Sequence, residues 1–264
     1  HFKEGNGVIN HYFLNGKIKA QGKIIANEFC DSIVEYDFNG NILTTNYFVS
    51  GLFNGKYEER DPVSELVLQS GNAVVNNFDG KIKGYSALGI YTYEENFEFG
   101  SLEGEKKFFF NNKLFTNHFY INNTRNGIYN FYAPDGKSLM YSLKYNDGDI
   151  IAVSYMNKNQ KMSPWSPVTK GTINIVAFYP DQKKSIEFSL KDGYRDGKEI
   201  IYYPNGTVYY ESLSENNCLN GKLKVYYPNG NTRIEANYYY DLLDGAFVDY
   251  FENGKIHFEG QYKL

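Results

Sequence analysis

"DGKEIIYYPNGTVYYE", residues 196–211, returns one period later as "NGKLKVYYPNGNTRIE", residues 220–235. The offset is 24 residues, and a third copy ends its turn at Gly254 in "YFENG". Carried back along the chain, the same ruler marks Gln182, Gln160, Gly136, Asn112, Gly89, Ser64, Gly40 and Gly16, with gaps of 22 to 25 residues. A second ruler runs nine residues ahead of most marks, through Gly7, Gly55, Gly80, Gly127, Gly197, Gly221 and Gly245. Asp31 and Ile151 take the glycine's place in two units, and Gly104 and Gly171 are displaced. A period of this length over a whole chain is the signature of a repeat architecture.

The residues of the unit say which one. In "YPNG", Pro pre-sets φ at the second turn position, and Gly takes the left-handed conformation that closes a bulged hairpin. Flanking runs such as "KEIIYY" and "TVYYES" are β-branched and aromatic, as strands require. The "DG" and "NG" pairs of the second ruler are expected to turn the chain between hairpins. A helical repeat would need apolar residues at three-to-four spacing without two glycines per unit, and none is present. A parallel β-helix would turn at coil corners rather than at Pro-Asn-Gly tips. The fold expected is all-β: an elongated, twisted, single-layer antiparallel meander of about eleven hairpin units spanning 1–264 as one array.

Composition fits a thin sheet. Aromatics make up 18% of the chain, with 26 Tyr and 20 Phe, while mean hydropathy is −0.54. Tyr and Lys can pave a sheet face while keeping a polar tip in water. Tyr202, Tyr226 and Tyr250 are expected on one face, with Tyr203, Tyr227 and Phe251 on the other, because neighbours on a strand alternate. The net charge is −4, with no basic cluster beyond "QKK" or "EKK", so nucleic acid is excluded as a partner. No apolar run reaches the length of a membrane span. Cys30 and Cys218 lie in distant units and form no metal motif.

The pattern "NGK-x-x-x-YYPNG-x-x-x-x-E" resembles the bacterial variant of the MORN repeat, found in proteins labelled YwqK-family antitoxins. It is strongest at 196–211, 220–235 and 244–259, recognisable at 7–20 and 127–140, and eroded between Ile151 and Lys184. The resemblance implies a sheet of hairpins serving as a scaffold or interaction surface. It implies no catalytic residue, because none belongs to the motif.

A direct search for chemistry agrees. His1, His11, His118 and His257 fall in different units without ligand-pair spacing. No G-x-S-x-G, S-x-x-K or H-E-x-x-H occurs. Glu58/Glu59 and Glu94/Glu95 are adjacent, so on a strand each pair points to opposite faces. One stretch breaks the pattern: "NKNQKMSPWSPVTKG" at 157–171 carries the only Trp, Trp165, between Pro164 and Pro167. Proline cannot donate to a ladder, so the array is expected to be irregular there. Exposed on such a loop, Trp165 would be a binding anchor. No catalytic, cofactor or metal site is therefore expected, and Trp165, Tyr202, Tyr226 and Tyr250 are the candidate binding residues. The function expected is a non-enzymatic scaffold with a protein partner. Carbohydrate or cell-wall binding and toxin neutralisation stand as alternatives, and a lipid surface stays open. Abundant Asn, Lys, Ile and Tyr suggest an AT-rich bacterial genome. The start without Met is read as the trace of a removed leader, pointing to export, with the cytoplasm still open.

Overall fold

The computed structural model describes residues 5–263. Those residues contain no helix, and their strands pair antiparallel with the next strand or the next but one along the chain, except between Ser166–Pro167 and Thr172–Phe178, where one sheet ends and another begins. Two compact units divide the chain at Arg125/Asn126.

The meander follows from two kinds of turn. At the first ruler's tips the first residue of the turn is bonded by the glycine, as in Gly206 N to Tyr203 O at 2.8 Å, and pairs again at Tyr203 N to Thr207 O. Gly16, Gly40, Gly136, Gly206, Gly230 and Gly254 all lie in such turns, and Ser64 lies in one that is a residue longer, closed by Glu65 N to Asp61 O at 2.9 Å. Where the eroded units lack glycine, Gln160 and Gln182 adopt the left-handed conformation themselves, at φ 59° and 68°. Asn112 differs: with Asn111 it forms a two-residue turn between the paired Phe110 and Lys113.

The second turn does not fall where the second ruler put it. Gly55, Gly221 and Gly245 lie inside the strands Leu52–Arg60, Cys218–Tyr226 and Leu242–Tyr250. Gly7, Gly80, Gly127 and Gly197 begin strands. The chain actually turns at two-residue loops a few positions earlier, such as Asn216–Asn217 (φ 50° and 68°) and Tyr240–Asp241 (φ 45° and 67°). Two positive φ values in succession define the turn whose twist matches that of the flanking strands. The ruled glycines serve a bulge instead. Leu213 faces the stretch between the pairs Ser212–Leu223 and Ser214–Leu219, so three residues stand opposite one. Gly221 sits in that bulge at φ 122°, and an added Cβ would come within 3.1 Å of Leu213. Asp31 fills the same position at φ 74°. At Ile151 the bulge shrinks to a single residue, between the pairs Lys144–Ala152 and Tyr145–Ile150, and no glycine is needed.

The two-residue turns also fasten one hairpin to the one before. Asn217 N donates to Arg195 O at 2.9 Å, while Arg195 N donates to Asn217 Oδ1 at 2.6 Å. The same two-point clasp joins Asp241 to Leu219, Asn76 to Phe53 and Asn123 to Leu102. Where the turn carries glycine, as at Gly51 and Gly100, only the backbone bond remains, to Phe29 O and Phe78 O.

The unit of residues 1–125 buries few apolar side chains, Ile24, Ala73 and Ile82 among them. A row of half-buried rings runs across its repeats instead: Phe29, Phe48, Phe53, Phe78 and Phe97, with successive centroids 5.7–6.2 Å apart. These rings stand near the two-residue turns. In the unit of residues 126–264 the ladder through Leu139–Asn146 and Asp149–Tyr155 ends on the short strand Ser166–Pro167, and a second sheet begins at Thr172–Phe178. Ser166 and Pro167 pair with Val153 and Ala152, whereas Phe178 N bonds Met156 O at 3.0 Å. The segment therefore acts as a wedge that splays the strands at one end. Leu143, Val153, Ile175, Ile186, Phe188 and Leu190 form the buried interior of this unit.

Two substitutions test this account. Asn217→Ala loses the side-chain clasp and the polar side chain that makes the left-handed φ tolerable, so it should destabilise by about 1–2 kcal/mol in denaturant unfolding. Asn217→Gly should lose less, and an Ala variant as stable as wild type would remove the clasp from the account. Gly221→Ala, with Leu213 in the way, should cost more than Gly197→Ala, where nothing lies within 4 Å of the added Cβ. Equal costs would show that only φ matters.

Candidate functional site

Three surfaces and one buried cluster emerge once the residues are placed. The first was not anticipated. The tips of residues 1–125 read "FLNG", "DFNG", "DPVS" and "SALG", and each puts an apolar side chain at the centre of the turn. Leu14 is 110% exposed, Phe38 59%, Val63 90% and Leu88 80%. One such residue per repeat, with two strands between, makes a row spaced by about 10 Å. The turns beneath are stiff: Asp37 Oδ1 accepts from the backbone of Asn39, Gly40 and Asn41 at 2.7–2.8 Å, and Asp61 Oδ1 from Val63 and Ser64. Those bonds hold the Asp61 carboxyl below its ordinary range. The signal was legible, since later tips carry Pro with Asp or Asn at the same places.

The second surface holds three of the candidate binding residues. Tyr202 donates its hydroxyl to Glu187, which also pairs with Lys184 at 2.9 Å. Tyr226 donates to Glu211 at 2.9 Å, and Glu211 pairs with Lys198 at 2.5 Å. Tyr250 and Glu235 line one hollow of about 400 Å³ with Asn231, Thr232 and Asn253, and Lys224 pairs with Glu235 at 2.5 Å. The structure thus brings Tyr202, Tyr226 and Tyr250 into equivalent places, one per repeat. Partial burial pushes the Glu187 carboxyl up, but the Tyr202 hydroxyl and Lys184 outweigh it and hold it below its ordinary range. Lys198 does the same for Glu211, aided by Tyr226. The Tyr226 hydroxyl, burdened by burial and its carboxylate partner, is pushed up to about 12. Tyr203 and Tyr227 play another part: their hydroxyls reach the backbone carbonyls of Tyr226 and Tyr250, at 2.8 and 2.7 Å. Tyr209 packs against Tyr203 at 5.1 Å rather than filling the row of Tyr202.

Trp165 lies apart from this column, on the wedge before the second sheet, and is 44% exposed. The carboxylate pairs are separated as strand alternation requires, Glu94 taking Lys81 and Glu95 taking Lys106. His118 is half-buried, and that loss of solvent, together with Arg125 and Lys106, lowers its pKa to about 4. His257 pairs with Asp249 at 2.8 Å, and His1 lies outside the described residues.

The buried cluster belongs to residues 126–264. Arg195 stacks 3.5 Å over the Phe188 ring, donates to the Tyr141 hydroxyl at 3.1 Å and pairs with Glu199 at 2.7 Å. Burial pushes the hydroxyls of Tyr141 and Tyr129 above the ordinary phenol range. Tyr141 stands five residues past its mark, where Glu187 and Glu211 stand past theirs, and that exchange was the available signal. The cluster ties the two sheets of this unit together.

Residues 195–216, 219–238 and 243–264 match the MORN repeat variant family. A comparison with curated protein sequences returns no match. Among solved structures, the chain is similar to the crystal structure of TcdB2-TccC3 at 12% identity, over 90% of this chain and 16% of that one, with a TM-score of 0.21. It is similar to that of TcdB2-TccC3-Cdc42 at 12% identity, over 94% and 17% of the two chains, with a TM-score of 0.20. The chain thus spans less than a fifth of the length of either. A MORN repeat variant occupies residues 195–264.

Proposed function

We propose that this chain is a non-enzymatic repeat scaffold that binds a protein partner along the turn edge of residues 1–125. The observation that carries the reading is the row of Leu14, Phe38, Val63 and Leu88, held at the most solvent-exposed points of stiff turns. Scattered exposed apolar residues are ordinary, but an aligned series marks an interaction surface. Toxin neutralisation, as in the YwqK-labelled proteins that the repeats resemble, is a narrower form of the same reading, with a toxin as the partner. A second reading rests on the other surface. The Tyr–Glu–Lys sets of Tyr202, Tyr226 and Tyr250 recur every two strands, about 10 Å, a spacing suited to a linear glycan of disaccharide repeat.

The deciding experiment compares wild type with a variant carrying Leu14→Ser, Phe38→Ser, Val63→Ser and Leu88→Ser, in crosslinking and pull-down from the source organism, beside a glycan array. The expected result is a discrete protein partner lost on substitution, with the melting temperature unchanged. Turnover abolished by replacing one carboxylate would overturn the scaffold reading. Retention on a glycan, lost with Tyr202→Ala and Tyr226→Ala, would replace it with the second. Trp165→Ala is expected to leave stability within about 1 kcal/mol, because a half-exposed ring forfeits far less than the 3–5 kcal/mol of a buried one. A loss of that full size in denaturant unfolding would make Trp165 structural and withdraw it as an anchor.

A further inference from the structure

Asn–Gly stands at the tip of five turns: Asn15–Gly16, Asn39–Gly40, Asn205–Gly206, Asn229–Gly230 and Asn253–Gly254. This dipeptide is the one most open to deamidation. The backbone N of glycine attacks the Asn Cγ, an N–Cγ bond forms, and the carboxamide nitrogen leaves as ammonia with the proton that the backbone gives up. Water then opens the cyclic imide at either carbonyl, leaving aspartate or its β-linked isomer. Glycine permits the approach because it has no Cβ to obstruct it. By sequence the five sites are equivalent.

The hydrogen bonds separate them. Asn205 is held at both ends of its carboxamide: Nδ2 donates to Pro228 O at 3.1 Å, and Oδ1 accepts from Thr207 N and Oγ1 at 2.9 and 2.7 Å. Asn229 is held likewise, by Glu252 Oε1 at 3.3 Å and Asn231 N at 2.9 Å. Asn15 has a single bond, from Lys17 N at 3.0 Å, and Asn253 one from Lys255 N. The Asn39 carboxamide makes none among the described residues, since the neighbouring tip engages its backbone instead, Lys17 Nζ donating to Asn39 O at 3.1 Å. The restraint on the attacking nitrogen is shared by all five, each glycine N donating to the first carbonyl of its turn at 2.8–3.1 Å. Gly40 N alone also donates to a carboxylate, Asp37 Oδ1 at 2.7 Å.

We infer that Asn15, Asn39 and Asn253 are sites of spontaneous deamidation in the folded protein, and that the cross-repeat hydrogen bonds of Asn205 and Asn229 shield the same dipeptide there. At Asn15 and Asn39 each event places a new carboxylate beside Leu14 or Phe38, on the apolar edge, and the β-linked product lengthens the turn by one backbone atom. The modification thus alters the surface proposed above, but its chemistry stands whether or not that surface binds a partner.

The test ages the purified full chain in mildly alkaline buffer and follows each site by peptide mapping and mass spectrometry. Asn15, Asn39 and Asn253 should convert about tenfold faster than Asn205 and Asn229, the equivalent of breaking one or two hydrogen bonds. In denaturant all five should convert alike. Glu252→Ala removes the acceptor of Asn229 Nδ2 and should speed Asn229 several-fold while leaving Asn205 unchanged. Equal rates at the five sites in the folded protein, or an Asn229 rate indifferent to Glu252, would overturn the inference.

Discussion

A two-stranded hairpin is marginal in water by itself, so an array of them persists only if each is fastened to the next. In this chain the fastening is the second residue of a left-handed two-residue turn. At Asn217, Asp241, Asn76 and Asn123 one residue closes its own hairpin and grips the previous one through both backbone and side chain. The double duty explains the residue types. Asn and Asp tolerate positive φ better than other side chains, and their oxygen is at the right reach for the backbone N–H of the preceding repeat. Val75, beside Asn76, holds φ 48° with a β-branched side chain, which shows how strongly the clasp over-determines the turn.

The rest of the unit is arranged around that grip. The glycine bulge lets the gripped strand bend past its neighbour, and the tips on the other side are free to vary. They vary in two ways. In residues 195–264 they interlock, through Tyr203 and Tyr227 to the next carbonyls and through Asn205 and Asn231 to Pro228 and Glu252. In residues 1–125 they are joined more sparsely, by Lys17 to Asn39 O and Ser64 to Ala87 O, and present Leu14, Phe38, Val63 and Leu88 to solvent. Freedom at the tips is thus available for function because stability is concentrated at the opposite turns.

Where the repeat is eroded, a different device takes over. The wedge of Ser166–Pro167 ends one ladder, and the clasps resume only at its far end, where Asp192 grips Gly171 through backbone and side chain. The unit compensates with a conventional interior, Leu143 and Val153 with Ile186 and Phe188, and with the Arg195 stack. A buried guanidinium is tolerable there because Glu199 pairs it, Tyr141 accepts from it and Phe188 lies beneath it.

Because turn chemistry is local, the sequence by itself determined the period, the all-β antiparallel class and the position of the glycine-bearing tips, though not the turn type at Asn112. Pro at one place and Gly two places later dictate backbone angles whatever surrounds them. The irregular proline segment at 157–171 was visible for the same reason. The sequence misled on the other turns, since Gly221 and Gly245 announce positive φ without saying whether a turn or a bulge requires it. That choice depends on register against Leu213 and Asn237, eight residues away in each case. Tertiary structure alone decided which tips interlock, which asparagines are pinned and what Arg195 touches. The contacts among them that cross between repeats join residues 21 to 54 positions apart, and no local preference of either partner encodes them.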